Sequence, residues 1–170
     1  MKLPRFEYHV PETMDGALAL LGEMGDEARP LAGGQSLLPL MCLRLARPAH
    51  LVDLGGVEEL RRLEVRDGAL TIGGCVRQRT VERSPDVAGV CPLLAQALPL
   101  VGHPQIRSRG TIGGSVAHAD PAAELPLVAL VLDATLVTRS SRRTREIPAS
   151  SFFESAFSTV IEPDELLAEI

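Results

Sequence analysis

The 170-residue sequence has no tryptophan, one tyrosine and only 3% aromatic residues, so it cannot assemble the stacked aromatic platform on which single-strand nucleic-acid binders depend. It also lacks an excess of positive charge: 17 basic against 22 acidic side chains leave a formal −5, with no general attraction for a phosphate backbone. Nucleic acid is excluded as the expected partner. Cysteine is scarce, and Cys42, Cys75 and Cys91 are too scattered to form a C-x-x-C pair that could begin a zinc or iron–sulfur site. They are expected to be reduced thiols, and no metal-ligand set is expected in the chain. Long hydrophobic runs are missing as well. The longest, Leu125 to Leu132, contains Pro126 and falls well short of the roughly 20 apolar residues that a membrane span requires. Arg5, Glu7 and His9 interrupt the opening segment, so no signal-peptide pattern precedes the fold. These absences imply a soluble, cytoplasmic protein without a membrane span.

What is present reads first as strand, helix, strand, glycine loop, helix, strand. Phe6 to His9 is strand-like, and Pro11-Glu12-Thr13 opens a helix with apolar Ala17, Leu18, Leu21 and Met24 at helical spacing, ending near Gly25. Arg29 to Ala32 leads into Gly33-Gly34, the apolar stretch Leu37 to Leu45 follows, and Leu51 to Leu54 forms the next strand. This is a small βαβαβ unit, closed by Gly55-Gly56, which sets a subdomain boundary between residues 1–56 and 57–170. The second part begins with a hairpin signal: Leu63 to Val65 and Ala69 to Ile72 flank Asp67-Gly68. Helical stretches are expected near Thr80 to Arg83 and from Pro92 to Val101, then a glycine loop at Gly113-Gly114, a helix or strand from Leu125, and strands around the basic turn Arg139 to Arg145. The fold class is α+β: the small parallel unit is followed by a larger mixed or antiparallel sheet with covering helices.

Two glycine segments carry most of the functional signal. They are Leu31 to Pro39, containing Ala32-Gly33-Gly34-Gln35-Ser36, and Arg109 to Glu124, containing Thr111-Ile112-Gly113-Gly114-Ser115. Glycine permits close approach of backbone to an anion, and successive amides can converge into a nest. Ser36, Thr111 and Ser115 offer hydroxyls, and a helix after Ser36 would add its N-terminal amides. Each segment alone is more often only an ordinary tight turn. Together they could hold the two phosphates of a dinucleotide. Neither G-x-G-x-x-G nor G-x-x-x-x-G-K-[ST] occurs, so Rossmann and P-loop patterns are excluded.

Both segments resemble the pyrophosphate loops of the flavoprotein (medium) subunits of molybdenum hydroxylases, the family that includes aerobic carbon monoxide dehydrogenase and xanthine dehydrogenase. Leu51-Val52-Asp53-Leu54, Ile72-Gly73-Gly74 and Pro163-Asp164-Glu165-Leu166-Leu167 extend the resemblance over nearly the whole chain. It implies two α/β subdomains with FAD between them, held by Ala32, Gly33, Gly34, Gln35, Ser36, Thr111, Gly114, Ser115 and Glu124, with Leu166 or Leu167 against the flavin ring. His118 and Asp120, inside the second segment, join this cofactor-binding set. No catalytic acid or base is implied. The implied partners are the iron–sulfur and molybdopterin subunits of one oxidoreductase complex, from which electrons reach an external acceptor. Family subunits continue into a C-terminal domain that has no counterpart before Ile170, so a fragment, a truncated product or a split subunit is expected. Ser108 replaces an asparagine common in the family. A free-standing flavin oxidoreductase and a nucleotide-binding module without activity are the alternatives.

Several residues have two readings. His118 could tune a flavin or simply bond to its own turn, and His103 before Pro104 is read as a helix-start or turn residue. Asp120 with Glu124 could be an acid/base dyad, but Asp120-Pro121 is better read as a helix cap. The cluster Arg139, Arg142, Arg143 and Arg145 is an exposed hairpin or a docking surface for an acidic partner.

Overall fold

The structure, a computed structural model, describes residues 2–170. Its first unit follows directly from local sequence. Strand β1 (Glu7–His9) leads to helix α1 (Met14–Met24), whose N-cap Thr13 accepts a hydrogen bond from the Gly16 amide. Helix α1 buries Met14, Ala17, Leu18 and Leu21, and it stops at Gly25, where the chain adopts φ +52°. Next come β2 (Ala28–Leu31), α2 (Leu37–Cys42) and β3 (His50–Asp53). Both outer strands pair in parallel with β3, in the order β1-β3-β2, which makes the expected βαβαβ unit.

The hairpin also forms where expected, with β4 (Leu63–Arg66) antiparallel to β5 (Ala69–Ile72). Its turn residues Asp67 and Gly68 have φ +52° and +79°, the pair of left-handed conformations that a type I′ turn needs. Short helices α3 (Gln78–Glu82), α4 (Pro85–Val90), α5 (Pro92–Ala97) and α6 (Pro104–Arg109) follow. Three of these begin with proline at the first helical turn, where its missing amide costs nothing. Helix α6 begins where His103 before Pro104 signalled a start, whereas α4 was not anticipated as a helix, its six residues being too few for apolar periodicity to show.

The expected glycine loop at Gly113-Gly114 is instead the first turn of helix α7 (Ile112–His118). Thr111 caps it by accepting from the Gly114 amide at 3.0 Å, and that local bond overrides the low helix propensity of two adjacent glycines. After α8 (Glu124–Val131), β6 (Thr135–Arg139) and β7 (Thr144–Pro148) flank the basic turn. A small hairpin of β8 (Phe153–Ser155) and β9 (Ser158–Thr159) precedes the final strand β10 (Leu166–Glu169), which pairs antiparallel with β6 in a β10-β6-β7 sheet.

Strand β10 sits between two apolar clusters. Leu166 and Ala168 pack with Leu18, Leu21, Val52 and Leu60, whereas Leu167 packs with Val81, Leu98, Leu136 and Phe152. The alternation of a strand thus joins the two cores. It places Leu166, from the far end of the sequence, in the core of the N-terminal unit.

Candidate functional site

A cleft of about 540 Å³ runs between the N-terminal unit and the α6–α7 region. The two glycine segments were separated by more than seventy residues in sequence, yet both line it: Ala32, Gly33, Gly34, Gln35 and Ser36 on one side, Thr111, Gly113, Gly114 and Ser115 on the other. Their closeness depends on glycine at particular points. A Cβ on Gly33 would stand 2.4 Å from the Arg109 carbonyl oxygen, and one on Gly113 would stand 2.5 Å from Gly74 Cα. These glycines serve backbone-to-backbone contact within the protein rather than approach to a ligand alone. Gly34 is the one that needs a left-handed backbone, at φ +70°.

The first segment leaves a run of unused donors. Among the described residues, the backbone amides of Gly33, Gly34, Gln35, Ser36 and Leu37 have no hydrogen-bond acceptor, although Gly33 accepts one from the Gln35 side chain at 3.0 Å. Buried or half-buried amides are normally paired, so consecutive unpaired ones along a cleft mark a place prepared for an anion. The Gly113 amide likewise has no partner among the described residues. Helices α2 and α7 are too short, at six and seven residues, to contribute a large macrodipole. The attraction comes from individual amides.

Side chains complete the lining. The Ser36 and Ser115 hydroxyls make no hydrogen bond with the described residues and are available as donors. Thr111 is buried and its oxygen is engaged as the α7 cap, so it shapes the turn. His118 lines the cleft but does not bond to its own turn; its ring rests against Phe157, with centroids 5.2 Å apart. Both Leu166 and Leu167 line the cleft, one from each core. Asp120 and Glu124 do not line it. Asp120 accepts from the Ala122 amide at 2.9 Å in a local turn, and α8 begins only at Glu124, its cap Ala123 lying three residues after the expected Asp120 cap. Nothing joins the two as an acid/base dyad.

Sequence reasoning missed other lining residues. Gln78 is 4% exposed, donates to the Thr111 carbonyl at 3.4 Å and leaves its Oε1 without a partner. Cys75 also lines the cleft, and burial pushes its thiol up to about 11, so it is protonated and unreactive at neutral pH. Phe157 is 60% exposed and holds φ +60°, an uncommon conformation for a bulky residue. No motif points to any of the three, because each reaches the cleft through tertiary packing.

The arginines of the basic hairpin are ion-paired within the chain. Arg145 pairs with Glu165 of β10's approach segment, Arg143 with Glu162, and Arg142 with Asp164 at 2.9 Å. Arg139 instead approaches Asp15 at 3.9 Å, and Arg142 and Arg143 stay largely exposed, as expected of an exposed hairpin. Burial acts to raise the Glu165 carboxyl, but the Arg145 hydrogen bonds, the Glu162 amide and the Arg143 charge outweigh it and hold the group below the ordinary carboxylate range. A second such pair, Arg107 with Glu82 at 3.0 and 3.1 Å, ties α6 to α3 behind the cleft. Away from the cleft, Glu7, His9 and His50 bring three potential ligand atoms within 4.8 Å of one another.

Residues 4–170 match the family described as the FAD binding domain in molybdopterin dehydrogenase. The chain is 41% identical to the carbon monoxide dehydrogenase medium chain of Hydrogenophaga pseudoflava, over 98% of this chain and 58% of that protein. It is 44% identical to the 6-hydroxypseudooxynicotine dehydrogenase complex subunit alpha of Paenarthrobacter nicotinovorans, over 100% of this chain and 57% of that protein. A solved carbon monoxide dehydrogenase from Hydrogenophaga pseudoflava superimposes with a TM-score of 0.97 at 41% identity, covering 99% of this chain and 59% of that one. Quinoline 2-oxidoreductase from Pseudomonas putida 86 superimposes with a TM-score of 0.96 at 39% identity, again over 99% and 59%. The chain therefore spans about three-fifths or less of the length of the relatives that it matches. No helix among the described residues is long and apolar enough to cross a membrane.

Proposed function

The chain belongs to the family of FAD-binding domains of molybdopterin dehydrogenases, and from that premise we propose that it holds FAD in the cleft and serves as the electron-transfer flavoprotein part of a molybdenum hydroxylase complex. The observation that carries the reading is the row of unpartnered amides from Gly33 to Leu37, lining the same cleft as Gly113, Gly114 and Ser115. A diphosphate is the part of FAD that such donors recognise, because it offers several anionic oxygens and needs no charged side chain. The residues fit the cofactor: the cleft is lined by glycine backbone on both sides, with apolar Leu166 and Leu167 at hand for the ring.

Bound FAD supplies a ring that can take up electrons singly and release them in pairs. The chain's own residues bind, orient and shield. Amides of 33–37 and the Ser36 and Ser115 hydroxyls hold the diphosphate. Gln35 braces its own loop through the Gly33 carbonyl. Asp120 and Glu124 complete the proposed set as acceptors for cofactor hydroxyls, beyond the lined cleft. No acid or base is required, since substrate oxidation is assigned to a molybdopterin subunit and electron delivery to an iron–sulfur subunit. The chain has no cysteine cluster for such centres among its three thiols.

The test is a titration of the purified full-length protein, stripped of flavin, with FAD, ADP and riboflavin. FAD should bind tightly, ADP should compete with it, and riboflavin, which has no phosphate, should bind at least a hundredfold more weakly. Equal affinity for riboflavin and FAD would remove the diphosphate cradle from the account.

A further inference from the structure

Strand geometry gathers a second group of chemistry-bearing side chains on the β1–β3 ribbon. Glu7 and His9 lie two residues apart and share one face of β1, and the parallel register sets Glu7 opposite His50. Tyr8, between them, turns the other way and donates to Asp53 at the end of β3. The backbone beneath is held by the Glu7 amide, which donates to the Ala49 carbonyl at 2.7 Å.

The donor atoms form a compact triangle. His9 Nε2 and His50 Nδ1 are 3.2 Å apart, and Glu7 Oε2 lies 3.5 Å from His50 Nδ1 and 4.0 Å from His9 Nε2. Ligands at zinc–nitrogen and zinc–oxygen distances on a tetrahedral ion are spaced by about 3.4 Å. The two imidazole nitrogens already have that spacing. The Glu7 side chain is 73% exposed and can rotate to close the third edge. Neither ring makes another hydrogen bond with the described residues, so a pair of neutral imidazoles facing each other explains only one contact of each.

We propose that Glu7, His9 and His50 form a binding site for one divalent transition-metal ion of the zinc class, with its fourth position open to solvent. Two imidazoles and one carboxylate suit zinc, cobalt, nickel or copper, whereas calcium and magnesium prefer a shell of oxygens. The ligands come from two adjacent strands that are 41 residues apart in sequence. Binding therefore clamps β1 onto β3 and stabilises the N-terminal unit by linkage, because the ligand set exists only in the folded chain.

The experiment uses tag-free, chelator-stripped full-length protein titrated with zinc(II) by calorimetry, with the thermal midpoint measured in parallel. One saturable equivalent and a rise in the midpoint are expected. His9→Ala and His50→Ala should each abolish both, Glu7→Gln should weaken the affinity at least tenfold, and His103→Ala should retain both. Flavin content, which depends on a different part of the molecule, verifies that each variant is folded. Absence of a saturable equivalent, or one that survives in the His9→Ala/His50→Ala double variant, overturns the proposal.

Discussion

Gly33 is pressed against the Arg109 carbonyl so closely that a single added methyl carbon would lie 2.4 Å from the oxygen. The neighbouring Gly110 Cα is nearly as near, at 2.7 Å from the same point. Backbone cannot rotate out of the way as a flexible side chain can. The two halves of the cleft are thus held at a separation that only glycine allows.

Gly33→Ala should therefore push the two segments apart, at a cost of about 1–3 kcal/mol for overpacking, and lower flavin retention more than tenfold. Gly22→Ala is the control, since a Cβ there meets nothing within 4 Å and lies within α1. It should leave flavin content unchanged and raise stability by about 0.5–1 kcal/mol through helix propensity. Flavin-to-protein absorbance ratios and denaturation midpoints check both. Equal flavin content in Gly33→Ala and the parent protein would contradict the apposition.

The Arg145–Glu165 pair predicts a pH dependence. The folded carboxyl is held below its unfolded value, so its stabilising contribution is present above the ordinary carboxylate range and is lost as the pH falls through the folded value. Denaturant melts from pH 7 to pH 3 should show this loss, and Glu165→Gln should flatten it. Some slope will remain, because the Arg107 hydrogen bonds lower the Glu82 carboxyl in the same direction. Arg145→Ala, which leaves the buried Glu165 carboxylate with only the Glu162 amide at 3.0 Å and the Arg143 guanidinium at 3.7 Å, should destabilise by about 2 kcal/mol.

Cys75 should be the slow thiol. With its pKa raised to about 11 and its side chain in the core, it should resist an aromatic disulfide reagent at pH 8 in the native protein and react on unfolding. Counting thiols before and after denaturant measures this. Prompt labelling of Cys75, identified by peptide mass, would show that the cleft opens readily.

Phe157 pairs a bulky, exposed ring with a left-handed backbone at the cleft, in tilted contact with His118. Phe157→Gly should relieve backbone strain of about 1 kcal/mol, leaving stability unchanged or higher. If the ring shields the cofactor, flavin dissociation should accelerate severalfold. Stopped-flow or dialysis release rates measure that, and an unaltered rate would assign the residue to the β8–β9 hairpin alone.

Local features were legible without coordinates. Thr13 before α1, the Asp67-Gly68 turn and the apolar spacing of Ala17, Leu18 and Leu21 each act within a few residues, and each forms as the sequence implied. The composition of both glycine segments was equally plain. Their conformations were less so: Gly113 and Gly114 are helical because Thr111 caps them and Gly74 backs them, and neither influence is visible in a short window of sequence.

The sequence by itself determined the parallel N-terminal unit, the hairpin and the two runs of glycine, because caps, turns and periodicity are short-range energies written in neighbouring residues. Only tertiary structure decided that Arg145 would spend its charge on Glu165, that β10 would carry Leu166 into the first core, and that His9 would meet His50. Those contacts join residues 20 or more positions apart, and their existence follows from which surfaces become buried together when the whole chain closes.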